Sequence, residues 1–305
     1  MIGSVFGSGK GCAVSSTVIQ WFPGHMAKTR RRMAELLPEV DIVLEILDAR
    51  IPLSSRNPDI RAILGDKPSL ILLNKSSLAD PSVTAEWTAW FAGHEKTPCL
   101  AIDCKTGEHI DRIVPAIREA LAEKLERYRQ KGMEGRRLKA MAAGIPNVGK
   151  SSLINRLCGA KKAKVEDRPG VTMDKQWVSA GGGLDLLDMP GVLWPKFDDR
   201  VTGENLALTG AIRDRILDVE ELAVILTDRL RRTYPDLLLA RYRLDEAALD
   251  AEAPALFEMI GRKRGFVVRG GEVDDLRTAT MLLDEFRAAV PGRMSLERPP
   301  EGGKE

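Results

Sequence analysis

The stretch Gly144-Ile-Pro-Asn-Val-Gly-Lys150-Ser151 decides how this chain is read. Its two glycines permit backbone angles that aim several N–H groups at one phosphate. Lys150 carries a positive charge to the β- and γ-phosphates, and the Ser151 hydroxyl can ligate Mg2+. A helix starting near Gly149 adds the positive end of its dipole. From average residue usage, four fixed positions of this kind coincide by chance in about one chain in a hundred of this length. The context agrees with the mechanism. The short apolar run Leu138-Lys-Ala-Met-Ala-Ala143 feeds the loop, and Ser152-Leu-Ile-Asn-Arg-Leu157 follows it with helical character. Lys150 is therefore a candidate for catalysis as well as binding, with Val148, Gly149 and Ser152 beside the phosphates.

Downstream, Asp188-Met-Pro-Gly191 ends the predicted strand Leu184-Asp-Leu-Leu-Asp188. A DxPG alone is a common turn. At this distance past a phosphate loop, Asp188 reads as a Mg2+ holder acting through water, and the Gly191 N–H as a γ-phosphate sensor. Between the two motifs lies Arg168-Pro-Gly-Val-Thr172. Thr172 is the candidate switch threonine for Mg2+ and the γ-phosphate, an assignment that rests on its position alone.

Upstream, Asn74-Lys75 closes the apolar run Pro68-Ser-Leu-Ile-Leu-Leu-Asn74, where a base-binding segment belongs. Guanine selectivity calls for an aspartate two positions after the lysine, accepting from N1–H and the exocyclic amine. Ser77 stands there, and the nearest following carboxylate is Asp80. Losing a charge-assisted, two-bond contact removes about 2–3 kcal/mol of discrimination. Asp103-Cys104-Lys105-Thr106-Gly107 reads as a plain turn by itself. Beside the other motifs it can close over the base, with the N–H groups near Cys104 and Lys105 meeting guanine O6. The base reader thus precedes the phosphate loop, the reverse of the usual order.

The wider pattern is strands alternating with helices. Asp41–Asp48, Pro68–Asn74, Thr97–Asp103, Leu138–Ala143 and Leu184–Asp188 are predicted strands. Residues 26–38, a stretch after Pro52, the segment around Trp87, Trp90 and Phe91, and a long charged run over 108–131 are predicted helices. That alternation implies an α/β fold with a doubly wound, mostly parallel sheet. Beyond about Thr202 the spacing turns wholly helical, with turns near Pro235, Pro254 and Gly270-Gly271, and predicts a small all-α domain. The expected boundaries are a disordered extension at 1–18, the α/β domain at 19–201, the helical domain at 202–290 and a frayed tail at 291–305.

Composition narrows the class. A chain of 305 residues holds one α/β domain and a smaller second one. No uncharged apolar run reaches about 18 residues, so no transmembrane helix is expected. Four cysteines without paired spacing read as reduced thiols, and three dispersed histidines suggest no metal site. A cytoplasmic monomer is the expectation. Net charge is only +2, so an anionic partner must be met by local clusters: Arg30-Arg31-Arg32, Arg136-Arg137 with Lys139, Lys161-Lys162 with Lys164, and Arg262-Lys263-Arg264. Each alone can be a solvated face.

Taken together these motifs resemble the circularly permuted ribosome-assembly GTPases, most closely the bacterial ribosome biogenesis GTPase A group. The resemblance runs from about Ile19 to Pro299. It rests on Ile19-Gln-Trp-Phe-Pro-Gly-His-Met26, Asp48-Ala-Arg-Ile-Pro52, the phosphate loop through Asn155, and Pro169-Gly-Val-Thr172 with Gln176-Trp177. Asp188-Met-Pro-Gly-Val-Leu-Trp-Pro195, Arg264-Gly265 and Arg269-Gly-Gly-Glu272 extend it. The resemblance implies the same reversed order, GTP and GDP as ligands, and action on a late precursor of the large ribosomal subunit. It also implies hydrolysis on the subunit followed by dissociation. Ser77 departs from the aspartate usual in the family.

Val192 follows Gly191 where many GTPases carry a water-orienting glutamine, and its side chain cannot orient water. The resemblance implies that His25 is brought over the γ-phosphate instead; the residues alone read it as a loop or RNA contact. Similar GTPases use an asparagine at the position of Asn147 to ligate K+, which supplies the charge of an arginine finger; otherwise Asn147 is a turn former. Lys28, Arg30, Arg31, Arg262, Lys263, Arg264 and Arg269 are the candidate RNA contacts, made to phosphates, or else solvent-facing helix residues. Trp21 and Phe22 stack on RNA bases or pack on the domain. Two rival readings remain at this level: an RNA-binding scaffold with nucleotide as a structural ligand, and a less base-selective NTPase.

Overall fold

A computed structural model describes residues 25–159, 177–194, 199–212 and 218–300. Residues 1–24, with Trp21 and Phe22, and Thr172 lie outside the described residues. So does the side chain of His25, whose backbone opens the first helix.

The strands are β1 (Ile42–Asp48), β2 (Ser69–Asn74), β3 (Cys99–Ala101), β4 (Leu138–Ala143), β5 (Trp177–Ala180) and β6 (Leu184–Asp188). They form one sheet in the order β3-β2-β1-β4-β6-β5, parallel throughout except for the antiparallel β5–β6 pair. Helices α1 (His25–Leu36), α2 (Pro58–Leu64), α3 (Pro81–His94), α4 (Ile113–Ala120), α5 (Ala122–Gln130) and α6 (Lys150–Cys158) accompany it. All of β1 is buried, as expected of a strand covered on both faces. On one face Ile42, Leu44 and Ile46 of β1 meet Leu153 of α6 and Ile117 of α4. The opposite face is covered in two parts, by Met33 and Ile60 around Val43 and by Val83, Trp87 and Phe91 around Leu47.

Glu45 interrupts this apolar strand and is almost fully buried. Arg56 answers it with a two-pronged contact, Nε to Oε1 at 3.0 Å and Nη2 to Oε2 at 2.9 Å. The same guanidinium pairs with Glu95 and lies over the Phe91 ring. A charge in the middle of the sheet is tolerable only because its partner is locked in place.

From residue 200 the chain is helical: α7 (Arg200–Leu208), α8 (Val219–Thr233), α9 (Pro235–Tyr242), α10 (Ala253–Lys263) and α11 (Asp275–Arg287). Pro235 and Pro254 sit in the first turns of α9 and α10, where a missing N–H costs nothing. Leu226, Leu256, Ile260, Leu282 and Phe286 form a separate apolar core. Helix α7 belongs to both cores, with Leu206 facing the sheet side and Leu208 the helices. No helix among the described residues is long and apolar enough to cross a membrane.

Three expectations need correction. The run over 108–131 is two helices that break at Leu121, whose side chain turns into the core beside Ile117. Strand β5 was not foreseen; it is a four-residue edge strand, mostly half-exposed, and its apolar signal is weak. The stretch from Pro291 to Pro300 is not a frayed tail but a strap over the α/β layer. Met294 N–H donates to Leu78 O at 3.1 Å, Leu296 N–H to Arg50 O at 2.9 Å, and Trp87 Nε1 to Glu297 O at 3.1 Å. The Glu297 carboxylate accepts from Leu53 N, Ser54 N and Asn205 Nδ2 at 2.8, 3.0 and 2.9 Å. Composition suggested fraying because it does not register where backbone bonds end.

Removing the partner of Glu45 tests this account of the sheet. Arg56→Ala strands a buried carboxylate and should cost about 3–5 kcal/mol in urea unfolding. The apolar pair Glu45→Leu with Arg56→Met should recover most of that loss. A single variant as stable as the parent would contradict the account.

Candidate nucleotide site

The carboxyl ends of β4, β6, β1, β2 and β3 lie along one edge of the parallel sheet, where ligands of open α/β folds bind. The phosphate loop leaves β4 there. At Gly144 a Cβ would lie 2.6 Å from Ile46 O on the adjacent strand, so the loop starts closer to β1 than any side chain allows. Gly149, at φ +107°, caps α6, and a Cβ there would fall 2.2 Å from Asn74 Nδ2.

Asn74 explains that closeness. Its Nδ2 donates to Val148 O at 2.7 Å, and its Oδ1 accepts from Cys104 N–H at 3.0 Å. One buried amide therefore ties the end of β2 to the phosphate loop and to the loop after β3. From behind, Arg156 of α6 donates to the carbonyls of Cys104 and Lys105. These bonds correct an expectation: the Cys104 and Lys105 N–H groups are not turned to a base. The first serves Asn74, and the second donates to Asp103 Oδ1 at 2.7 Å.

Lys150 is buried, and its Nζ donates to Gly144 O at 3.1 Å and Ile145 O at 2.7 Å. Desolvation lowers the ammonium to about 8, overriding the nearby Asp188 charge. Burial likewise pushes the Asp188 carboxyl above its ordinary range, against Lys150 and a hydrogen bond from the Ser151 side chain. Both charges are therefore short of solvation. Ser151 and Asp188 are hard oxygen donors already in hydrogen-bond contact, a set that fits Mg2+. Gly191 packs on the loop: a Cβ would meet Pro146 N at 2.7 Å and Lys150 Nζ at 2.9 Å. Val192 is buried, and its carbonyl accepts from Asn57 Nδ2 at 2.8 Å.

On the base side, Lys75 takes a left-handed backbone, and its Nζ pairs with Asp48 Oδ2 at 2.9 Å. Arg50 grips the same carboxylate through Nε and Nη2 at 2.9 and 2.8 Å. Burial opposes the charge on Asp48, but Arg50 and Lys75 hold its carboxyl well below the usual range. Asp80 points away: it caps α3 through Ser82 N–H and accepts from Tyr234 OH at 3.2 Å. A carboxylate missed in the sequence stands closer, since Ser77 Oγ donates to Asp103 Oδ2 at 2.5 Å.

Asn147 takes a left-handed backbone at φ +57°, and its Nδ2 donates to Gly210 O at 3.1 Å, just past α7. The basic residues are scattered. Lys28, Lys263 and Arg269 are exposed. Arg30 pairs with Asp59, Arg31 with Glu35 and Arg262 with Glu258. Arg264 corrects the reading of a free phosphate contact: it turns inward to Glu285 at 2.7 Å and lies over the Tyr242 ring.

A phosphate loop on the middle strand, flanked on its two sides by the acid of β6 and the base-side asparagine of β2, defines a P-loop GTPase. The base side comes first in the chain, so the domain is circularly permuted. Residues 139–250 match the family described as 50S ribosome-binding GTPase, a match that begins in β4. The chain is 48% identical to Ribosome biogenesis GTPase A of Bacillus licheniformis over 92% of this chain and 99% of that protein. It is 33% identical to Mitochondrial ribosome-associated GTPase 1 of Xenopus tropicalis over 90% and 89% of the two chains. The crystal structure of GNP-bound YlqF from T. maritima superposes with a TM-score of 0.60 at 25% identity, covering 89% and 98%. The chain belongs to the ribosome biogenesis GTPase A family, and it is a GTP hydrolase.

The lowered Lys150 ammonium has a measurable consequence. Between about 8 and the unfolded value the folded site holds fewer protons than the unfolded chain, so this group favours folding more as pH rises. Anionic phosphates reverse the shift. GDP binding at about pH 8.5 should therefore take up protons, seen by calorimetry in buffers of different ionisation enthalpy. Buffer-independent heats would contradict this, and Lys150→Gln should abolish the uptake.

Proposed function

We propose that this GTPase binds a late precursor of the large ribosomal subunit, that the subunit stimulates hydrolysis, and that hydrolysis releases the protein. The observation that carries the reading is the bond from Asn147 in the phosphate loop to Gly210 at the end of α7. It joins the nucleotide loop to the helical domain directly, so a change at the phosphates alters what holds that domain. The names of the relatives, Ribosome biogenesis GTPase A and Mitochondrial ribosome-associated GTPase 1, support the ribosome as the partner.

Within this reading Ser151 and Asp188, with Thr172, hold Mg2+, which neutralises charge on the phosphates. Lys150 turns from the loop carbonyls to the β- and γ-phosphates, and the loop N–H groups from Val148 to Ser152 orient them. The Gly191 N–H reports on the γ-phosphate. Asn147 offers Oδ1 to K+, since its Nδ2 is held by Gly210. The Val192 side chain is apolar and buried, so water is positioned by another group, and His25 takes that role on the ribosome. Lys28, Arg30, Arg31, Arg262, Lys263 and Arg269 meet rRNA phosphates; Arg30, Arg31 and Arg262 exchange Asp59, Glu35 and Glu258 for the phosphate. The protein acts as a monomer in the cytoplasm.

Phosphate release decides this reading. The isolated protein should turn over slowly, and purified large subunits should raise the rate at least about tenfold. His25→Ala should remove most of that stimulation while GDP affinity stays within about twofold. Replacing K+ by Na+ should lower the stimulated rate. A rate unmoved by subunits would leave an RNA-binding scaffold as the better reading.

A further inference from the structure

The base-reading position holds a serine whose hydroxyl is already committed. Ser77 Oγ donates its single proton to Asp103 Oδ2 at 2.5 Å, and Ser77 N–H approaches the same oxygen at 3.3 Å. Asp103 is fixed from its own side, where Oδ1 accepts from Lys105 N–H and Thr106 N–H at 2.7 and 2.9 Å. Burial opposes the Asp103 charge, but the bonds from Ser77, Thr106 and Lys105 prevail and keep its carboxyl below the ordinary range. It is an acceptor at neutral pH, so the Ser77 proton stays directed inward. What Ser77 Oγ can offer outward is lone pairs.

We propose that Ser77 and Asp103 together replace the single guanine-reading aspartate, with Ser77 Oγ accepting from the base and Asp103 fixing it as an acceptor. Guanine presents donors at N1–H and the exocyclic amine. Adenine presents an acceptor at N1, which would face a lone pair with no proton between them. An oxygen polarised by an ionised carboxylate accepts more strongly than a free hydroxyl. A free serine at this position would instead rotate its proton outward and donate to adenine. The Asp103 carboxylate is committed to four bonds within the protein, so it is a positioning residue, and Ser77 is the reader. The carboxylate absent from the segment after β2 stands instead in the loop after β3, within hydrogen-bond reach of Ser77. Ser76 and Lys75 add a rigid backbone, since Ser76 N–H donates to Ile102 O at 3.1 Å.

The inference rests on the reading of this edge as a guanine nucleotide site, and competition binding of GDP, IDP and ADP separates the two. Wild-type protein that bound ADP as well as GDP would overturn the guanine reading itself. If wild type prefers GDP, Ser77→Ala should cut the GDP-over-ADP ratio about tenfold or more, chiefly through weaker GDP binding. Asp103→Asn should lower the same ratio by strengthening ADP, because its amide can donate to Ser77 and free the hydroxyl proton. Asp103→Ser should lose preference, and adding Ser77→Asp should restore it even if either single variant is less stable. Unchanged ratios in Ser77→Ala and Asp103→Asn, or no recovery in the Ser77→Asp/Asp103→Ser pair, would overturn the proposal. IDP lacks the exocyclic amine, so its gap from GDP should shrink in Ser77→Ala.

Discussion

The nucleotide edge of this protein hangs on the side chain of Asn74. A single buried amide satisfies a carbonyl of the phosphate loop and an N–H of the loop after β3, and it projects from the end of β2. An amide suits this position because it donates at one end and accepts at the other. The glycine at 149 is dictated by the same contact: only a residue without Cβ leaves room for the amide. Three loops that belong to distant parts of the chain thereby share one geometry. The start of α6, Lys150 and the base-side segment are thereby held together at one edge of the sheet.

A second constraint links that edge to the helical layer. Asp48 holds Lys75 on the nucleotide side and Arg50 on the other, and Arg50 reaches Thr209 O at 3.4 Å and lies over Phe286 of α11. Asn147 holds the next carbonyl, that of Gly210. Arg287 adds bonds to Ala207 O and Leu208 O. The C-terminal end of α7 is thus gripped by the segment after β1, the phosphate loop and α11 together. Carbonyls at a helix C-terminus are left short of helical donors and are natural sites for such side chains.

Much of the layout is legible in the amino-acid sequence. Strands β1 and β2 were legible because burial on both faces leaves no polar alternation to confuse them, Glu45 being a single interruption. The phosphate loop was legible because its chemistry tolerates few substitutes, and the structure brings Asp188 beside its Ser151 and Lys150. What remained hidden depends on pairing across distance. Nothing near Ser77 in the chain announces Asp103, because the two meet only when the loop after β3 folds beside the loop after β2. Asp103-Cys104-Lys105 does begin with a carboxylate, which was the available signal. Arg264 misled for the converse reason. In a basic run it resembles its neighbours, yet Glu285 lies on another helix and takes it inward.

Permutation gains its meaning from these contacts. Each nucleotide-binding loop sits at the same edge of the sheet, so the order in which the chain visits them does not alter their positions. It does alter what leaves the domain. After Asp188 and Gly191 the chain proceeds to α7, the helix that shares both cores. In the usual order the segment after this acid would return to the sheet to build the base-side strands. Here those strands are already in place, and the chain after Gly191 enters α7, whose far end is held by Arg50 and Asn147. Gly191 and α7 are therefore separated by one short segment of chain, and the far end of α7 is tied back by two hydrogen bonds. A domain joined through its base-side end would have no such path.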